Sequence, residues 1–188
     1  MRIIDTALSP NLFNTVVDKT YSLEIPWYYG STAYTDSSDG FSWAHTVMQE
    51  GNKVSFLADT LELAIISALD NVEEKFTKIQ RIRLGLLTIT DENYTNIPHV
   101  DQEFTHKTGL LYLCDSDGST KIYNEKYSVE SMIPAYDYYK NTLKEQVSLL
   151  HDIDCRKNRM VLFDGLHYHS STTPTDIDRR ITLNFNYL

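Results

Sequence analysis

Downstream of Thr77 the chain stops repeating like a helix. Apolar and β-branched residues come instead in short runs, at 77–91, Gly109–Leu113, Thr120–Tyr123, Gln146–Leu150, Met160–Phe163 and Arg180–Asn186. Turn residues such as Asp115–Gly118 and Asp164–Gly165 separate them, the punctuation of successive strands. Upstream the pattern is helical. Ser9 and Pro10 offer an N-cap and a proline at the first helical position, with Leu12, Phe13, Val16 and Val17 at helical spacing, so a helix is predicted over 10–19. Leu57, Leu61, Ala64, Ile65, Ala68 and Leu69 form a second apolar stripe, with Asp59, Glu62 and Asp70 off it, the mark of an amphipathic helix lying on a core. The segment from Ile25 to Gly40 reads as a short strand and a loop. Two helices leading into six or more strands without intervening helices argue an α+β, mainly β chain, with an antiparallel barrel or jelly roll over 77–188. Residues 1–76 are then helical support and loops, within one domain of 188 residues.

Charge narrows the partners. Seventeen Lys and Arg against 26 Asp and Glu leave a net charge of −9, so the average surface repels polyanions and nucleic acid is not an expected partner. No apolar run is long enough for a membrane span or a signal peptide. Cys114 and Cys155 lie apart in mixed runs, which suits reduced thiols in a cytoplasm. The sequence does not specify an oligomeric state.

Of the six histidines, two settings stand out. His99 and Asp101 are two residues apart and in an extended segment share a face, so one metal ion can be bound by both. Near the other end, Asp164–His169 closes a strand with His167 and His169, either of which can supply a third ligand from across a barrel. Two imidazoles and one carboxylate make a facial triad, leaving open positions for a bidentate cosubstrate and dioxygen on Fe(II). Eleven residues after His169 stands Arg180. It points the same way as Thr182, Asn184 and Asn186, while Ile181, Leu183 and Phe185 take the opposite face. A buried arginine needs an anion, and its planar fork suits a carboxylate.

As an ordered set, Pro98–Asp101, Gly109–Cys114, Ser119–Thr120, Asn158–Gly165, Tyr168–Ser170, Pro174 and Arg180–Asn186 resemble the Fe(II)- and 2-oxoglutarate-dependent dioxygenases. Within that superfamily the similarity is to short prolyl-hydroxylase-like members of phage and bacteria. The resemblance covers about residues 79–188 and implies a double-stranded β-helix of the cupin-like, jelly-roll kind. It makes His99, Asp101 and His169 the iron ligands, His169 rather than His167 because of the Tyr-His-Ser context and the spacing to the arginine. It makes Arg180, not its neighbour Arg179, the partner of the distal carboxylate of 2-oxoglutarate, and puts Tyr112 on that same carboxylate. The implied reaction consumes O2, decarboxylates 2-oxoglutarate to succinate and hydroxylates a prolyl or other residue of a peptide or protein, or else a free amino acid or small metabolite. Asp101 stands where halogenating relatives carry Ala or Gly. Thr182 and Asn186 stand where nucleic-acid demethylases of the AlkB type carry Asn and a second Arg. A non-catalytic metal-binding jelly roll is the competing class, but it needs no inward arginine.

The remaining features have structural readings. Arg81 and Arg83 are expected as surface charges on an edge strand, with lining the substrate mouth as the other reading. Tyr136, Tyr138 and Tyr139 fit a binding groove or packing equally. Cys114 and Cys155 read as small buried apolar groups, and His45, His106 and His151 as structural or surface histidines.

Overall fold

In a computed structural model, residues 1–31 and 40–188 are described; of the strand and loop expected over Ile25–Gly40, residues 32–39 lie outside them. In chain order the elements are β1 (Arg2–Ile4), α1 (Pro10–Thr20), β2 (Tyr28–Ser31), β3 (Phe41–Gln49), β4 (Asn52–Lys53), α2 (Ala58–Asn71), β5 (Ile79–Thr88), β6 (Lys107–Tyr112) and β7 (Ser116–Lys126). A helical turn α3 (Ala135–Tyr138) runs into a π-helical turn (Tyr139–Leu143), and β8 (Leu149–Cys155), β9 (Met160–Asp164), β10 (His167–Ser171) and β11 (Arg179–Tyr187) complete the chain.

The strands form two antiparallel sheets. The larger runs β1-β9-β6-β11-β5-β3-β2, with β4 paired to β3, and the smaller runs β10-β7-β8. Isolated bridges join Thr95 to Thr172 and His99 to His169, so the segment around His99 lies along the free edge of β10. This is the jelly-roll layout.

Strand alternation divides the large sheet into two faces. Ile82 and Leu84 of β5 with Ile181, Leu183 and Phe185 of β11 turn outward onto α1 and α2, meeting Val16, Leu61, Ala64 and Leu69. This is the helix-covered core that the stripe on α2 foretold. Leu110, Tyr112, Ile122, Ile153, Val161 and Phe163 fill the space between the sheets at one end, and the other end stays polar. A third cluster packs Tyr139 and Leu143 onto Tyr168 and Tyr123 of the small sheet, so the tyrosines after Pro134 include packing residues.

Several boundaries differ from the sequence reading. Residues 1–76 are more than helical support, because β1 extends one edge of the large sheet and β2, β3 and β4 extend the other. Strand β3 lacks clean alternation, burying Ser42, His45, Val47 and Met48, and its register shifts between Thr46 and Met48. A bulged strand loses the period-2 signal. The expected turn at Asp115–Gly118 lies mostly within β7, where the register shifts between Ser116 and Ser119. Strand β8 spans Leu149–Cys155 rather than 146–150. Ser9 caps α1 only through its carbonyl, which accepts from the Phe13 N–H at 2.9 Å.

Candidate metal centre and the pocket beside it

The antiparallel bridge between His99 and His169 brings two distant segments to one point. Each residue donates its backbone N–H to the carbonyl of the other at 2.9 Å. The two imidazoles therefore project from adjacent backbones, with ring centroids 4.6 Å apart. Asp101, two residues along from His99, completes the cluster, and one ligand atom from each of the three lies within 4.8 Å of the others. His167 is elsewhere, with Nδ1 on the Tyr123 carbonyl at 2.7 Å.

Tautomers are fixed from behind. His99 Nδ1 lies 3.1 Å from the Ile97 carbonyl and His169 Nδ1 3.1 Å from that of His167. A carbonyl only accepts, so Nδ1 carries the hydrogen and Nε2 presents a lone pair. His169 Nε2 is buried with no hydrogen-bond partner, 3.8 Å from Asp101 Oδ2, and the edge of Phe163 steadies its ring at 5.2 Å. A buried nitrogen lone pair left bare beside a carboxylate is a site fitted to a cation.

The carboxylate is buried and ionised. Burial alone would raise the pKa of Asp101, but the Arg81 guanidinium and the Asn186 amide hold it far below the usual carboxylate range. Arg81 donates to Oδ1 at 3.1 Å and Asn186 to Oδ2 at 2.9 Å, with longer approaches from Asn184 and Thr108. The expectation that Arg81 is a surface charge on an edge strand is overturned: β5 is central, flanked by β11 and β3, and alternation turns Arg81 and Arg83 into the barrel.

From this cluster a cavity runs along the polar face of the large sheet, past Thr182 and Gly85, to Thr120 and Arg180. Arg180 is 4% exposed, and among the described residues no carboxylate pairs with it. Its Nη2 donates to Thr120 Oγ1 at 2.6 Å, while Nε has no partner. Tyr112 is entirely buried and does not line the cavity; its hydroxyl donates to the same Thr120 oxygen at 2.7 Å. Thr120 Oγ1 thus accepts twice, which leaves its own hydrogen to donate. Gly118 makes room for this arrangement, since a Cβ there would sit 2.7 Å from the Thr172 carbonyl and 3.1 Å from Arg180 Cδ. Arg179, the alternative, faces outward, with its guanidinium over Tyr21 at 4.9 Å and 3.3 Å from Asp178.

No family model matches the sequence, and no curated protein matches it. Solved structures do match. An oxidoreductase of the 2OG-Fe(II) oxygenase family from Burkholderia pseudomallei is similar with a TM-score of 0.67 at 10% identity, over 98% of this chain and 83% of that one. A prolyl hydroxylase from Trichoplax adhaerens, in complex with a hypoxia inducible factor oxygen degradation domain peptide fragment, gives 0.60 at 16% identity, over 100% and 82%. HygX from Streptomyces hygroscopicus, with nickel and 2-oxoglutarate bound, gives 0.57 at 11% identity, over 98% and 81%. The chain has the fold of the 2OG-Fe(II) oxygenases.

Within that fold, sequence reasoning gave Thr120 no role of its own and preferred a surface reading for Arg81 and Arg83 over one at the substrate mouth. Thr120 lies in β7 with Ile122, where a threonine is also an ordinary strand former, so its register against Arg180 was invisible. The two arginines were visible in principle, since they alternate with Ile82 and Leu84, but their side of the sheet depends on β3 being paired beyond them. The other histidines sit apart from the cluster: His45 is held by the Pro26 carbonyl and Ser55 hydroxyl at 3.0 and 2.7 Å, and His106 packs at Gly165. The thiols of Cys114 and Cys155 are free. Among the described residues no helix is long and apolar enough to cross a membrane.

Proposed function

We propose that this chain is an Fe(II)- and 2-oxoglutarate-dependent oxygenase that hydroxylates a prolyl or other residue of a peptide or protein, or a free amino acid or similar small metabolite. The observation carrying this reading is the buried, unpartnered Nε2 of His169 beside the ionised Asp101, on the same cavity as a buried arginine that pairs with no carboxylate among the described residues. His99, Asp101 and His169 would hold the metal through two nitrogen lone pairs and one carboxylate oxygen, the donor set suited to Fe(II) with positions left open. When bound, iron and 2-oxoglutarate together supply dioxygen activation, with release of succinate and carbon dioxide and delivery of a hydroxyl group to substrate.

The chain's own residues bind and orient. Arg180 receives the distal carboxylate of 2-oxoglutarate as a charged pair, and the Thr120 hydroxyl donates the second hydrogen bond. Tyr112 acts through Thr120, so it is a positioning residue rather than a contact of the cosubstrate. The hydrogen bonds on Nδ1 of His99 and His169 fix ring orientation, and Arg81, Asn186 and Asn184 fix that of Asp101. Apolar packing from Leu110 closes one flank of the cavity, where lower polarity strengthens each charged contact.

Anaerobic addition of Fe(II) and then 2-oxoglutarate to metal-free protein tests the reading. A visible charge-transfer band in the wild type, absent in His169→Ala, is the expected result. No band from folded wild-type protein would refute it in favour of a non-catalytic jelly-roll module.

A further inference from the structure

Arg83 is the second arginine of the cavity that, among the described residues, has no counter-ion. It lies on β5 one alternation beyond Arg81, lines the same pocket as His99, Asp101 and Asn184, and is only partly exposed. Arg81 is satisfied by Asp101 and Asn186. Among the described residues Arg83 makes no hydrogen bond and no ion pair, and the one carboxylate on the cavity wall, Asp101, is already engaged by Arg81. Burial and the like charge of Arg81 both oppose its ionisation, with Asp101 acting the other way. Guanidinium nevertheless stays charged at neutral pH, and holding it in such a place is costly unless an anion arrives.

Charge balance gives the same answer. A dianionic cosubstrate offsets a divalent metal, which among the described residues leaves Arg81, Arg83 and Arg180 facing the single carboxylate of Asp101. The site therefore keeps an excess of positive charge in a protein whose net charge is −9.

The residue directly opposite Arg83 on β11 is Asn184. Its Nδ2 is turned toward both oxygens of Asp101, at 3.3 and 3.4 Å, and reversing the amide would set two acceptors against each other. Its Oδ1 is therefore the free end, and it is buried with no partner. A cationic fork and a bare acceptor stand side by side on neighbouring strands, both on the cavity. Paired residues in adjacent strands reach one small ligand together.

Resting on the oxygenase reading above, we infer that Arg83 and Asn184 form the substrate anchor, with Arg83 taking a carboxylate and Asn184 Oδ1 accepting from an N–H next to it. The substrate class is an α-amino or α-acylamino acid, met either as a free amino acid or as the C-terminal residue of a peptide. Either presents a carboxylate with an adjacent N–H.

The test uses whole protein loaded anaerobically with Fe(II) and 2-oxoglutarate. One arm adds the common L-amino acids at millimolar concentration, and the other adds short peptides with free C-termini, each against a matched set carrying a carboxamide. Binding is read from the melting midpoint and from perturbation of the visible band. The expected result is that acids of one arm bind wild type, that their amides do not, and that Arg83→Met weakens binding about 10- to 100-fold, the loss for a charged hydrogen-bonded contact. The arm that responds names the source. Equal binding of amides, no response to either set, or unchanged affinity in Arg83→Met each overturns the inference. Loss of the band in Arg83→Met does so too, by assigning Arg83 to the cosubstrate. Absence of the band in wild type is a different failure, that of the oxygenase reading itself.

Discussion

Replacing Thr120 by Val removes one oxygen atom and keeps the shape. Two donors lose their acceptor: the Arg180 guanidinium at 2.6 Å and the Tyr112 hydroxyl at 2.7 Å. A hydrogen bond to a charged group contributes about 1.5–3 kcal/mol and a neutral one about 1 kcal/mol. The variant is thus expected to lose roughly 2.5–4 kcal/mol of stability in urea denaturation. The decisive measurement is a double-mutant cycle with Tyr112→Phe. Alone, Tyr112→Phe costs about 1 kcal/mol, because it deletes a satisfied bond. In the Thr120→Val background it deletes an orphaned hydroxyl in a fully buried site, so it costs nothing or stabilises, and the coupling is about 1 kcal/mol or more. Thr120→Val should also weaken 2-oxoglutarate, followed by the visible band, by about 10- to 100-fold, since the donating hydrogen has gone. Additive stabilities would refute the shared-acceptor geometry, and unchanged 2-oxoglutarate affinity would remove Thr120 from the cosubstrate site.

Arg180→Met is expected to raise the 2-oxoglutarate requirement steeply while sparing metal binding by calorimetry, whereas Arg179→Met does little; the reverse outcome would mean a strand register wrong by one residue. Gly118→Ala forces a methyl to 2.7 Å from a backbone carbonyl and 3.1 Å from Arg180 Cδ; overpacking of this kind costs about 1–3 kcal/mol, and the displaced arginine should weaken 2-oxoglutarate in the same protein. Asp117 gathers the N–H groups of Thr175, Asp176 and Ile177 and the Thr175 hydroxyl at 2.7–3.1 Å. Burial alone would raise its pKa, but those donors hold it well below the usual carboxylate range. Its folded value being the lower one, its contribution is present above the unfolded pKa of about 3.9 and is lost as pH falls through the folded value. Asp117→Asn should accordingly flatten the loss of stability below about pH 4 seen in acid titrations.

The sheet's division into two faces was legible because β11 alternates without interruption, Ile181, Leu183 and Phe185 on one side and Arg180, Thr182 and Asn184 on the other. The same regularity on α2 located its packing face. Where alternation fails the sequence was mute. β3 carries Ser42 and His45 as buried polar groups and a register shift, and β7 starts through an Asp/Gly string that reads as a turn. Missing β3 had a second effect. With no strand beyond β5, Arg81 and Arg83 looked like edge charges, so the partner of Asp101 and a residue of the cavity wall were assigned to solvent. The cluster of His99, Asp101 and His169 was legible from spacing and motif order. The tie between Thr120, Tyr112 and Arg180 was not, because it depends on which side of Thr120 each neighbour packs.

Arg81 and a bound cation would serve the same carboxylate, and that overlap has a measurable sign. In the free protein Asp101 is 4% exposed as a side chain, and its compensating charge is Arg81, itself 14% exposed and 3.1 Å away. Removing one member of such a buried pair costs about 3–5 kcal/mol, because the other charge is left uncompensated. A divalent cation at His99, Asp101 and His169 would supply that compensation from the opposite side. Arg81→Met should therefore destabilise the metal-free protein far more than the metal-loaded one, and the rise in melting midpoint on adding Fe(II) without oxygen should be larger in the variant than in wild type. By linkage, metal that stabilises the variant more also binds its folded state more strongly relative to the unfolded chain. If Arg81 only shaped the pocket, metal would raise both midpoints equally. Equal shifts would separate Arg81 from the metal site and leave the ionisation of Asp101 to Asn184 and Asn186.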